Sequence, residues 1–218
     1  HGPAENRAGF GYVLEAKDST KRTRIYEFAY STEQTYILEF GEQYVRIHTQ
    51  AATLLETGLP ITGITKANPG VLSYTGTDPA NGDWMYLSGI LGMVELNGRF
   101  VKVKNVNAGA NTFELSDIHG GADINTTGYA AYTSGGTAAR VYEIATTYAE
   151  ADLFDLHFTQ SADVLTITHP SYDPKELRRT GATTWVLSTI SFVPTIETPA
   201  APTATAGGPG GGTPTTYY

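Results

Sequence analysis

Four imidazoles lie inside the chain, at His48, His119, His157 and His169, and they are the first residues to weigh for chemistry. No two of them stand at the HxH or HExxH spacing that would bring ring nitrogens onto one metal. Asp155 and His157 are two residues apart, which puts them on different faces of a helix. The acids Glu150, Asp152 and Asp155 raise a glycosidase pair or a cation site. A glycosidase needs two carboxylates at a set separation across a sugar cleft, and nothing in the sequence defines a cleft. The Asp-x-Asp-x-Asp-Gly order of a calcium loop is absent. Serine and threonine nucleophiles lack a GxSxG elbow. The glycine runs at 135–136 and 207–212 lack the strand before and helix after that a phosphate loop needs. There is no cysteine, which removes disulfides, thiolate metal sites and a cysteine nucleophile. The sequence therefore assigns no catalytic residue, no cofactor-binding residue, no metal ligand and no cofactor.

The elements that would position any site are strands. In 23–48, Tyr26, Phe28 and Tyr30 alternate with Ile25, Glu27 and Ala29. Tyr36, Leu38 and Phe40 then alternate with Ile37 and Glu39, and Val45 and Ile47 with Tyr44, Arg46 and His48. A period of two in aromatic and β-branched residues predicts three strands, with turns at 31–34 and 41–43. The stretch 11–17 predicts a strand before them. Residues 57–138 change texture and hold short apolar segments between strong turn pairs: Asn68-Pro69, Asn81-Gly82 and Asn97-Gly98. The last of these predicts a tight hairpin, since both central residues of that turn favour positive φ. Val101 and Val103 should face one way there and Lys102 and Lys104 the other. Residues 119–137 predict a long loop with little core. After Ala139 come a strand at 140–144 and a short helix in TYAEADLFDLHF. Thr147 and Glu150 have capping-box spacing, and Leu153, Leu156 and Phe154 are its expected apolar face. Strands follow at 162–168 and 183–192. Residues 170–181 fit either a helix start or an extended connection. Residues 194–218 are Pro-, Gly- and Thr-rich and read as a linker.

This order predicts a mainly β chain. A discontinuous antiparallel domain, residues 1–56 and 139–193, has one or two short helices and is interrupted by a small inserted β-barrel at 57–138. Surface loops tolerate such insertions because closure entropy grows slowly with loop length. The formal net charge of −8 argues against wrapping a nucleic-acid backbone. The basic run Lys17, Lys21, Arg22 and Arg24 is either a solvated strand end or a surface for the acidic stretch 150–163 of a neighbouring subunit. No apolar run reaches the roughly 20 residues of a membrane-spanning helix. The chain reads as a piece of a longer polypeptide, with a strand beginning at 215–218.

Two stretches, FAYSTEQTYILEFGEQYVRI (28–47) and YEIATTYAEADLFDLHFTQSADVLTITHPSYDPKELRRTGATTWVLSTISF (142–192), resemble the amino-terminal region of the tail tubular or nozzle proteins of short-tailed phages. The leading segment is similar too, with Arg7-Ala8-Gly9 where that family usually has Arg-Pro-Gly. The stretch NGDWMYLSGILGMVELNGRFVKVKNVNAGANTFEL (81–115) is similar to a small β-barrel module named after the first catalytic-cysteine half-domain of ubiquitin-activating enzymes. Without a cysteine, that similarity implies no ubiquitin chemistry. The resemblance implies a non-enzymatic virion structural protein, assembled in the host cytoplasm. Its copies would form a homo-oligomer, a ring of six, around the DNA exit path. Its other partners would be adaptor and fibre proteins, with DNA passing through without sequence-specific contact. Two alternatives accompany it. One is a receptor-binding or adhesin module recognising host glycan, with Trp84 and Tyr86 in the insert as test residues. The other is an enzyme, such as a depolymerase, with its active site beyond Tyr218.

Overall fold

The computed structural model describes residues 12–30 and 35–192. The expected turn at 31–34, the leading segment 1–11, the linker 194–218 and the strand start at 215–218 lie outside the described residues. Fifteen strands are described: β1 Arg24–Ala29, β2 Thr35–Gly41, β3 Tyr44–Thr49, β4 Ala52–Thr53, β5 Leu59–Ile64, β6 Val71–Tyr74, β7 Trp84–Leu91, β8 Phe100–Asn107, β9 Thr112–Asp117, β10 Ser134–Arg140, β11 Glu143–Ala145, β12 His157–Ser161, β13 Val164–His169, β14 Tyr172–Gly181 and β15 Thr184–Thr189. The chain is mainly β and antiparallel throughout. One sheet runs β1-β2-β3-β11 with β4 on β3, a second runs β12-β13-β14-β15, and β10-β5-β6-β9-β8-β7 close into a barrel.

The two open sheets share one core although the barrel separates them in sequence. Phe28, Tyr36, Leu38, Phe40, Val45 and Ile47 of the first sheet pack with Leu165, Ile167, Leu177 and Trp185 of the second. Trp185 meets the Phe28 ring at 4.8 Å and the Tyr36 ring at 5.2 Å, both edge-on, the arrangement favoured by the ring quadrupole. Phe158 of β12 lies 4.5 Å from Tyr26 and 4.9 Å from Phe40. The discontinuous domain, called the platform below, is thus a two-sheet body. The barrel has its own core of Leu72, Met85, Leu87, Val101, Phe113 and Leu115, among others. In β8, Val101 and Val103 are buried while Lys102 and Lys104 keep partial exposure, as the alternation predicts.

A short ladder forms the neck between the two bodies. Glu56 N donates to Arg140 O, Tyr142 N donates to Leu54 O, and Leu55 bridges Val141. The chain leaves the platform from β3 and β4 and returns as β11, which pairs with β3. Barrel strands therefore run from Leu59 to Arg140. Side chains close open peptide groups at the seams. The Tyr142 hydroxyl donates to Trp185 O and accepts from Trp185 N, both at 3.1 Å. The Gln160 amide donates to Ala29 O at 2.7 Å and accepts from Ala29 N at 3.2 Å. Asn97 treats Ile90 in the same way, at 2.8 Å in both directions.

Several local expectations are corrected. Residues 12–17 form no strand. At Asn97-Gly98, only Gly98 has positive φ; Asn97 is extended, its side chain is committed to Ile90, and Val94–Leu96 is a turn of 3-10 helix. The loop at 119–133 is not coreless. Ile124 enters the barrel core, and buried Thr126 donates to Thr65 O at 2.7 Å, which lays the loop over one end of the barrel. Residues 134–140, expected in that loop and in the returning strand, close the barrel as β10. Residues 172–181 are strand, the extended alternative.

The helix at 150–155 is 3-10, and no capping box forms. Its N-terminus is served from afar: Glu150 N donates to Glu42, and Tyr172 donates to Asp152. Its C-terminal carbonyls, Leu153, Phe154 and Leu156, all accept from Arg24 Nη1 at 2.7–3.0 Å. Leu153 and Leu156 are buried, but Phe154 is exposed. The acids faced by the basic run belong to the same chain: Arg22 pairs with Glu150, Lys21 with Glu42 and Lys17 with Glu143.

Replacing Tyr142 by Phe leaves the Trp185 N–H and C=O without that partner. A loss of about 1–3 kcal/mol is expected in denaturant unfolding, the usual cost of stranding a buried polar group. Gly92→Ala should destabilise more, since Gly92 sits at φ +89° and a methyl there collides with Ala131 O. Both changes are checked by the unfolding midpoint.

Candidate functional site

A largely buried polar cluster lies between platform and barrel, on the back of β3. Strand alternation sends Val45 and Ile47 into the platform core and turns Tyr44, Arg46 and His48 the other way. Register then aligns three strands. Glu39 of β2 and Glu143 of β11 stand on either side of Arg46 of β3. Arg46 Nε donates to Glu143 Oε2 at 3.2 Å, and Lys17 Nζ reaches the other oxygen of that carboxylate. The barrel covers the row. The Arg46 guanidinium lies 4.3 Å from the centroid of the Trp84 ring, and its side chain is only 1% exposed. Trp84 opens β7 on the barrel's outer face and is 3% exposed.

Next to this row is a hydroxyl–imidazole–carboxylate chain. Thr53 Oγ1 lies 2.7 Å from His48 Nδ1, and His48 Nε2 lies 3.0 Å from Glu39 Oε2. Tyr44 donates to Glu39 Oε1 at 2.6 Å. These are distances at which a base can activate a nucleophile. Thr53 and Glu39 are nevertheless buried, and neither they nor His48 line any of the five main clefts. A nucleophile without access for an electrophile does structural work, and here the chain ties β2, β3 and β4 together. Burial pushes the Glu39 carboxyl up. Hydrogen bonds from His48 and Tyr44, with the Arg46 charge nearby, more than offset this and hold it below the usual carboxylate range. The Tyr44 hydroxyl is pushed up by burial and by Glu39.

The other weighed residues do not converge. His119 pairs with Glu15 on the surface, His157 opens the edge strand β12, and His169 Nδ1 accepts from Ser171 N at 3.0 Å. No group of three metal-ligating side chains forms among the described residues. Glu150 is engaged by Arg22 and Asp152 by Tyr172. Trp84 is covered by Arg46, and Tyr86 is half-buried against Phe100, with ring centroids 5.0 Å apart. A wide cleft of about 620 Å³ opens at the neck, between 56–60 and 75–79. Its Arg140 is held by both oxygens of Glu56, at 2.8 and 2.9 Å, and its Asp78 accepts from Tyr74 at 2.7 Å. Among the described residues, no helix is long and apolar enough to cross a membrane. Neither the scan of family models nor the search of curated proteins finds a match.

The Glu39 cluster makes stability depend on acid. A carboxyl whose folded pKa lies below its unfolded value stabilises fully above the unfolded value, near 4.5. That contribution is lost as pH falls through the folded pKa. Glu39→Gln should flatten the fall in unfolding free energy between about pH 5 and the acid transition. Titrating the urea midpoint of both proteins against pH checks this; parallel curves would show that Glu39 is not the group responsible.

Proposed function

We propose that the chain is the amino-terminal part of a phage virion structural protein, nozzle-like, that assembles as a homo-oligomeric ring around the DNA exit path. Supporting the proposal is the resemblance of the stretches 28–47 and 142–192, whose described strands pack into one platform. The observation that carries assembly is on the sheet edges. Edge strand β1 presents Ile25, 67% exposed, and edge strand β15 presents Val186, 50% exposed. Exposed aliphatic side chains at edges of two different sheets provide the two unlike surfaces that a head-to-tail ring needs. Each contact in such a ring would bury about 1,200–2,000 Å². The net charge of −8 suits a wall along which DNA slides without sticking. Adaptor and fibre proteins are the proposed neighbours in the tail.

The glycan-binding alternative draws less from the geometry, because Trp84 lies beneath Arg46 and offers no free ring face. Sedimentation of the full-length protein, with electron microscopy, tests the proposal. Rings of six are expected. Ile25→Glu with Val186→Glu should leave the melting temperature within a few degrees and abolish the rings, since both sites are exposed. A native protein that stays monomeric at high concentration and shows no ring in micrographs contradicts the proposal.

A further inference from the structure

We propose that the wedge between β3, the start of β7 and the neck binds a compact oxyanion, of the phosphate or carboxylate class, on Arg46 and Trp84. The wedge is a cavity of about 120 Å³ lined by Lys17, Arg46, Asp83, Trp84, Arg140 and Glu143, together with small residues. Two of the residues that line it, Arg46 and Trp84, each carry a buried donor without an acceptor among the described residues, Nη1 and Nε1 respectively. One comes from the platform and the other from the barrel.

The carboxylates in the lining are already occupied. Glu143 takes Lys17 and Arg46. Asp83 Oδ2 accepts from Ala80 N at 2.8 Å and from Arg140 Nη1 at 3.4 Å, and Arg140 is otherwise committed to Glu56. What remains unmet in the wedge is therefore donor capacity, one part of it on a guanidinium. The lining carries three cations against two acids, in a chain of net charge −8.

The wedge also has an approach. It shares Lys17, Gly82 and Trp84 with a wider groove of about 560 Å³ whose rim adds Lys21 and Lys102, with Asp18 and Glu42. Glu42 pairs with Lys21 and serves the 150–155 helix, and Asp18 accepts from Thr20. Lys102 makes no ion pair within 4.0 Å among the described residues. A wedge of this size would also take roughly four waters. Water, however, offers these donors only neutral acceptors, whereas an oxyanion supplies charge-assisted acceptors to both at once. Bound there, the anion joins β3 to β7 and fixes the barrel on the platform.

Titration of the 218-residue protein with inorganic phosphate, followed by the two tryptophan indole N–H resonances, tests the proposal. Ionic strength is held constant with chloride, acetate is the carboxylate arm, and Trp185→Phe assigns the signals. The Trp84 indole should move saturably while that of Trp185 stays in place. Response to phosphate alone assigns the phosphate class, and response to acetate alone the carboxylate class. Lys17→Met, at a half-exposed position that leaves the rest of the spectrum unmoved, should weaken binding roughly tenfold, about 1.4 kcal/mol. The proposal is overturned by an indole that neither anion moves, by an equal response to chloride, or by undiminished affinity in Lys17→Met.

Discussion

The structure depends on one buried cation. Arg46 sits at the centre of β3 with an acid on each neighbouring strand and an indole face above it. Taking a guanidinium out of water is costly unless charge and hydrogen bonds replace the solvent. Here Glu143 bonds it directly, Glu39 stands opposite in register, and the negative face of Trp84 closes over it. Every part of that environment comes from a different element. Arg46 and Glu39 belong to the segment before the barrel, Glu143 to the segment after it, and Trp84 to the barrel. The cation's charge is therefore balanced and covered only when both bodies are folded and docked, which makes their junction specific rather than a flexible tether.

A second constraint is the management of open sheet edges. Two sheets packed face to face expose peptide groups where their edges meet, and unpaired edges invite association with other chains. Tyr142 and Gln160 each place a polar group against one residue of a neighbouring edge strand, Trp185 and Ala29, and use both its N–H and its C=O. These contacts seal parts of the seams and leave other parts of β1 and β15 available, where Ile25 and Val186 project. Sealing thus uses some residues of these strands and leaves others exposed.

How much was legible in the sequence follows from the range of each interaction. Alternation in β8 was readable because Val101 and Lys102 face environments of opposite polarity. The same alternation separates Val45 and Ile47 from Tyr44, Arg46 and His48, but a polar back face reads alike whether it meets water or a buried ion-pair row. The Thr147–Glu150 spacing pointed to a local cap, yet the helix ends are served by Glu42 and Arg24, more than a hundred residues away. Tyr142 and Gln160 act on peptides 43 and 131 residues distant, with no local pattern to announce them. The His48–Glu39 contact has no signature in the sequence, because it crosses two strands whose register, not their spacing, brings the side chains together.

The claim that Arg46 and Trp84 join platform and barrel is tested most directly by a double-mutant cycle on unfolding free energy, using Arg46→Met, Trp84→Leu and the pair. A desolvated cation over an indole is worth about 2 kcal/mol, so a coupling of about 1–2 kcal/mol is expected. Strictly additive losses, with coupling near zero, would show that the barrel rests on the platform without the contact on which this architecture is argued to depend.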